Sequence, residues 1–254
     1  MRTKVLHVVG ERFAGFSHEN PEEVVTLSQL ERMLGNGTLQ GDVTLLIGQG
    51  IPDEGLRRLR EQTRHAPHGK RVTLEPGPSA LERASSRLAH KHLEQNIMIT
   101  LPETMVEGER YVSSLLLDDR CAELSDHMTG QHIQGMVLIE AARQMMLAVT
   151  ERYFLKDRDR SHYFVINQID ATYHAFGFPL GMDVEYHILE HKEGKRGSLS
   201  SEVKVCFVQG GELLTEVKIR FTVYDAAFLS QREAEKARQA IARGTPAQSL
   251  PKAG

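Results

Sequence analysis

His132-Ile133-Gln134-Gly135-Met136-Val137-Leu138-Ile139-Glu140-Ala141-Ala142-Arg143-Gln144-Met145-Met146-Leu147 is the stretch on which the fold turns. From Gly135 to about Tyr153 apolar residues fall at nearly every helical position. That pattern predicts one long helix buried on most sides, not a surface helix with a single oily stripe. Such a helix must be wrapped, and the chain after it supplies four strand candidates: Tyr163 to His174, Asp183 to Glu190, Leu199 to Val208 and Leu213 to Tyr224. In the last, Val217, Ile219, Phe221 and Val223 alternate with Lys218, Arg220 and Thr222, the period of a half-buried antiparallel strand. Val203, Val205 and Phe207 repeat the pattern, and Gly194 and Gly210-Gly211 mark the turns. Asn96 to Thr100 and Tyr111 to Leu117 are apolar or alternating runs, so at least one strand is expected ahead of the helix. The fold class that follows is α+β, an antiparallel sheet around a central helix.

Three polar residues interrupt the helix. Glu140, Arg143 and Gln144 share one face by their three- and four-residue spacing. Burying charge there is costly. One reading is an ion pair on a partly exposed helix edge. The other is a polar stripe lining a pocket, with Glu140 a carboxylate of raised pKa able to act as a base. Asp126-His127 and His132 lie just before the helix, and the backbone N–H groups near Gly135 form an anion- or oxyanion-binding end. The spacing of His127, His132 and Glu140 matches no standard zinc helix, so no metal is expected, nor any other cofactor.

The run from His132 to Gln144, with Asp126-His127 before it, resembles the signature of the A-factor biosynthesis (AfsA-type) hotdog family. His90-Lys91 followed by Asn96-Ile97 is similar to the start of that family's second repeat. The Gly-x4-Glu-Ala portion is more distantly similar to hydroxyacyl-carrier-protein dehydratases. The resemblance implies a hotdog fold. It also implies transfer of a β-ketoacyl group from an acyl carrier protein or coenzyme A thioester to the hydroxyl of a small phosphorylated acceptor, typically dihydroxyacetone phosphate, toward γ-butyrolactone-type signals. It places the family's functional Glu and Arg on Glu140 and Arg143. His132 and His127 are second-tier catalytic candidates, and Gly135, Gln144 and Asp126 are candidates for holding substrate. The alternatives are a hotdog dehydratase or thioesterase on carrier-bound chains, and a non-catalytic acyl-binding module. Three departures from the family pattern stand out. Gln131 replaces a common Asp, Gln134 replaces a common Pro, and only one repeat carries the signature. The missing half is therefore expected from a second copy of the chain, in a homodimer.

The rest of the chain narrows the setting. Of its 254 residues 40% are hydrophobic, and 31 Lys+Arg against 34 Asp+Glu leave a net charge of -3. That balance speaks against a nucleic-acid partner held by bulk charge. Cys121 and Cys206 are too few for a disulfide framework and read as small buried hydrophobes. No run is long enough for a membrane helix, and the N-terminus lacks the marks of a signal peptide, so a cytoplasmic, membrane-free setting is expected. Residues 1–78 read as a small α/β segment. Its strands are expected at Lys4–Val9, Asp42–Ile47 and Arg71–Leu74, and its helices at Thr26–Leu34 and Asp53–Arg64. Gly48-Gln49-Gly50 reads as a strand-to-helix turn, since it supplies only part of a dinucleotide fingerprint. Pro76 to Ser79 marks a linker and residues 80–93 a short amphipathic helix. The hotdog domain is expected over 90–226 and a charged, partly disordered tail over 227–254. His162, His174, His187 and His191 are expected to be structural.

Overall fold

A computed structural model describes residues 4–39, 41–64, 72–75, 83–126, 130–155 and 161–244. The N-terminal unit alternates β1 (Lys4–Val9), α1 (Ala14–Glu19), β2 (Val24–Thr26), α2 (Leu27–Gly35), β3 (Val43–Ile47), α3 (Asp53–Arg64) and β4 (Val72–Glu75). Its four strands pair in parallel in the order β2-β1-β3-β4. Strand β2, three residues long, had no periodicity to announce it. The start of α2 is fixed locally by a capping box. The Thr26 hydroxyl accepts from the N–H of Gln29, whose side chain accepts from the N–H of Thr26. Helix α3 places Asp53 and Glu54 in its first turn and Arg64 in its last, as the helix dipole favours. Leu6, Val8, Leu30, Leu45 and Leu59 form this unit's own core.

The second unit contains α4 (Ser86–Ala89), β5 (Glu103–Val106), β6 (Arg110–Ser114), α5 (Ala122–Asp126), α6 (Gly135–Val149), β7 (His162–Tyr173), β8 (Asp183–Glu193), β9 (Leu199–Gln209), β10 (Glu212–Asp225) and α7 (Ala226–Gly244). Its six-stranded antiparallel sheet runs β5-β6-β8-β9-β10-β7. The sheet curls around α6, which continues as a π-helical turn to Phe154. This is the hotdog arrangement. Val203, Val205, Phe207, Val217, Ile219, Phe221 and Val223 all point onto the helix and are buried, as the alternation requires.

Two local expectations need correction. Asn96–Thr100 is not a strand: it passes through a 3-10 turn and isolated bridges, and the strand beside β6 starts at Glu103. The helix expected over 80–93 shrinks to four residues, closed by His90 in the left-handed conformation (φ 51°). The expected linker at Pro76–Ser79 and the tail beyond Gly244 lie outside the described residues. No helix of the described residues is long and apolar enough to cross a membrane.

The two units are locked together at Gly48-Gln49-Gly50. The Gln49 side chain is buried and donates to the carbonyls of Leu115 (3.0 Å) and Leu180 (3.1 Å), while accepting from the N–H of Leu117 (2.9 Å). Its own N–H donates to Pro179 O at 2.9 Å. A Cβ on Gly48 would lie 2.2 Å from Pro179 O, so only glycine permits the approach. This contact sits at the carboxyl ends of β1 and β3, the topological switch point where open α/β sheets usually hold a ligand. Here the hotdog unit fills that crevice. Arg83, reaching from the second unit to Asp53 (2.8 Å) and to the carbonyl of Leu116 (3.0 Å), fastens the same seam.

Candidate active site

Of the expected site residues, His132, Gly135, Glu140, Arg143 and Gln144 fall into two neighbouring places on or beside α6. The first is a groove of about 850 Å³ at the head of the helix. Ile133, Gln134, Gly135, Met136 and Leu138 form one wall; Tyr173 to Phe178 form the opposite wall, and Glu212 and Thr215 of β10 close it. The segment leading into α6 is fixed by the Ile133 N–H, which donates to Gly177 O at 2.7 Å. His132 lines the groove, its ring 4.8 Å from that of Phe176. Gly135 permits Tyr173 to lie over the helix end, because a Cβ there would be 2.6 Å from the Tyr173 hydroxyl. At the head of α6 the Val137 N–H donates to Gln134 O at 3.1 Å, while the Gly135 and Met136 N–H groups have no intrahelical acceptor and present partial positive charge to the groove.

The second place is centred on Glu140, five residues and about 7.5 Å further along the axis. Arg143 grips its carboxylate in bidentate fashion, Nε to Oε2 at 2.7 Å and Nη2 to Oε1 at 2.8 Å. Gln144 Nε2 donates to Oε1 at 2.9 Å, and Lys91 Nζ lies 2.9 Å from the same oxygen. Burial alone pushes the Glu140 carboxyl up. The hydrogen bonds from Arg143, Gln144 and Lys91 and the charge of Arg143 outweigh it and hold the pKa at about 2. The expected raised pKa is therefore overturned: four donor contacts stabilise the anion, and a carboxylate that acidic is a poor base at neutral pH. The reading as an ion pair on a partly exposed helix edge is the one observed, with Arg143 27% and Glu140 18% exposed at their side chains.

Gln144, expected to hold substrate, has no exposed surface. Its Oε1 accepts from the Met98 N–H at 2.8 Å, and its Nε2 donates to Asn96 O at 2.8 Å as well as to Glu140. It clamps the Asn96–Met98 segment to the helix. Lys91, which also pairs with Glu123 at 3.2 Å, and Asn96 were not among the expected site residues. The signal that reaches them is His90-Lys91 with Asn96-Ile97, which resembled a family feature but carried no assigned role. Neither the side chain of Asp126 nor any part of His127 is among the described residues. Among the described residues no group of three or more His, Cys, Asp and Glu side chains is placed to hold a metal ion.

A family model for the A-factor biosynthesis (AfsA) hotdog domain matches residues 73–225. The chain belongs to that family. The matched span includes the whole antiparallel sheet and α6, and leaves almost all of the N-terminal α/β unit outside the AfsA domain. No curated protein matches the chain. Solved structures similar to this chain include the dehydratase heterocomplex ApeI:P of Xenorhabdus doucetiae (12% identity, 55% of this chain and 91% of that one, TM-score 0.44). A mutant thioesterase of Pseudomonas aeruginosa follows at 12% identity, 50% and 81% coverage, and TM-score 0.38. A sigma28-regulated virulence protein of Campylobacter jejuni has 17% identity, 53% and 82% coverage, and TM-score 0.37.

Proposed function

We propose that the protein is an acyltransferase that moves a β-ketoacyl group from a carrier-protein or coenzyme A thioester to the hydroxyl of a small phosphorylated acceptor. The observation that carries this reading is the AfsA signature itself, on a helix whose free N-terminal end opens into a large, mostly apolar groove. The acyl chain lies in the groove with its thioester carbonyl toward the N–H groups of Gly135 and Met136, which stabilise the developing oxyanion. The acceptor oxygen forms a bond to the carbonyl carbon and the C–S bond breaks. The hydroxyl proton passes to His132 and then to the departing thiolate. Glu140 is not the base in this scheme. It stays ionised and holds Arg143 at a fixed angle, so that the planar guanidinium receives the acceptor's phosphate.

A second copy of the chain completes the site. Strand β7 is a sheet edge, with Tyr163, Ile166, Ile169 and Tyr173 partly exposed along it. Met136 (67% exposed) and Phe176 (68% exposed) continue the apolar surface onto the groove's rim. An edge of that kind invites strand pairing, and pairing across it covers the groove.

Arg143→Lys tests the assigned roles. Lysine keeps the charge but loses the bidentate fork, so the acceptor KM is expected to rise about tenfold or more while the thioester KM holds. Equal changes in both constants contradict a role in acceptor binding.

A further inference from the structure

We propose that Thr215 and Gln134 select acyl groups carrying a second oxygen beside the thioester carbonyl. The assignment rests on the acyl-thioester reading of the groove at the head of α6. Among the described residues, three buried side-chain polar atoms have no hydrogen-bond partner: Glu123 Oε2, Gln134 Nε2 and Thr215 Oγ1. Two of the three belong to residues that line this one groove. Native interiors satisfy nearly all such groups, so two orphans on residues that line one cavity mark a place for a ligand's polar atoms.

The surrounding backbone holds both residues there. Thr215 follows a β-bulge, where the register of β10 against β9 slips between Leu213 and Thr215. Bulges of this type re-aim a side chain. The freed Leu214 carbonyl accepts from the N–H groups of His174 (2.8 Å) and Ala175 (3.2 Å), tying the groove's far wall to the same bulge. Thr215 itself is 0% exposed, so bulk water does not satisfy its hydroxyl. Gln134 occupies the N-cap position of α6 yet makes no side-chain cap bond. Its amide is thus available to a guest. It also stands where the family pattern commonly has Pro, which has no side-chain donor at all.

Both groups donate: an amide N–H from Gln134 and a rotatable O–H from Thr215. One carbonyl oxygen has two lone pairs and can accept from both. With the Gly135 and Met136 N–H groups given to the thioester oxygen, the next oxygen along a 3-oxoacyl chain meets this pair. A saturated chain brings nothing and leaves both orphaned.

The test compares binding of 3-oxoacyl and saturated acyl pantetheine thioester analogues of equal chain length, by calorimetry, to the full chain and to Thr215→Val and Gln134→Leu. The full chain is expected to prefer the 3-oxo compound. Each variant is expected to lose about five- to tenfold in affinity for it while binding the saturated one unchanged. Thr215→Val is also expected to melt no lower than the parent, because the hydroxyl it removes has no partner in the free protein. A preference that survives in both variants overturns the assignment, as does a parental protein that binds both compounds equally. Loss of Tm with a parallel loss of both affinities overturns it in favour of a role in folding. Binding of neither compound to the parent overturns the acyl-thioester reading of the groove, and this assignment with it.

Discussion

The Glu140 carboxylate is gripped by two side chains of its own helix, Arg143 and Gln144, three and four residues further on. Lys91 lies 49 positions upstream and reaches Glu140 only because α4 packs on α6, a contact that no local pattern announces. That third donor, with the other two, reverses the sign of the pKa shift that burial alone suggests. The consequence is measurable. A carboxyl held at about 2 in the fold, against 4.5 for the free group, adds stability that is fully present above about pH 4.5. That stability is lost as pH falls toward 2, and its size is on the order of 3 kcal/mol. Glu140→Gln is therefore expected to melt well below the parent at neutral pH. The gap should hold down to about pH 5 and close toward pH 2. A gap that stays constant across this range contradicts the charge network.

At the scale of elements, periodicity was enough for most of the fold. The long helix, the four strands after it and the parallel strands β1, β3 and β4 all carry apolar runs, and in β3, β9 and β10 the apolar period also matches the burial, whereas the edge strand β7 stays largely exposed. What it missed was short or context-bound: three-residue β2, the non-strand at Asn96–Thr100 and the four-residue α4 depend on neighbours for their conformation. Gly48-Gln49-Gly50 is the clearest instance. As sequence it is an ordinary turn; in the fold it is the joint between two units, because Gln49 satisfies backbone groups of Leu115, Leu117 and Leu180. Gln49→Ala leaves two carbonyls and one N–H unpaired in the interior. It is expected to cost about 3 kcal/mol or more, read by chemical denaturation. A loss below about 1 kcal/mol shows that the seam is held elsewhere. Because both units share this seam, the parent is expected to unfold in one transition, and Gln49→Ala to separate it into two.

For the whole molecule, the proposed second copy would pair along β7, an edge of the antiparallel sheet. The exposed Ile169 lies on β7, and Ile169→Lys puts a charge on that edge. It is expected to convert a dimer to a monomer in sedimentation and to lower activity with it; an unchanged sedimentation coefficient contradicts pairing through β7. The shape of the groove was not legible in the sequence, since its walls come from α6, the β7–β8 connection and β10. In the proposed reaction the acyl group leaves the thioester for an acceptor hydroxyl. Its most direct test is mass spectrometry of products after incubating the purified protein with a 3-oxoacyl thioester, with and without dihydroxyacetone phosphate. An acyl ester of the acceptor, formed with thiol release that depends on the acceptor, is the expected result. Thiol release at the same rate without acceptor, yielding free acid, or no consumption of thioester in either mixture, contradicts it.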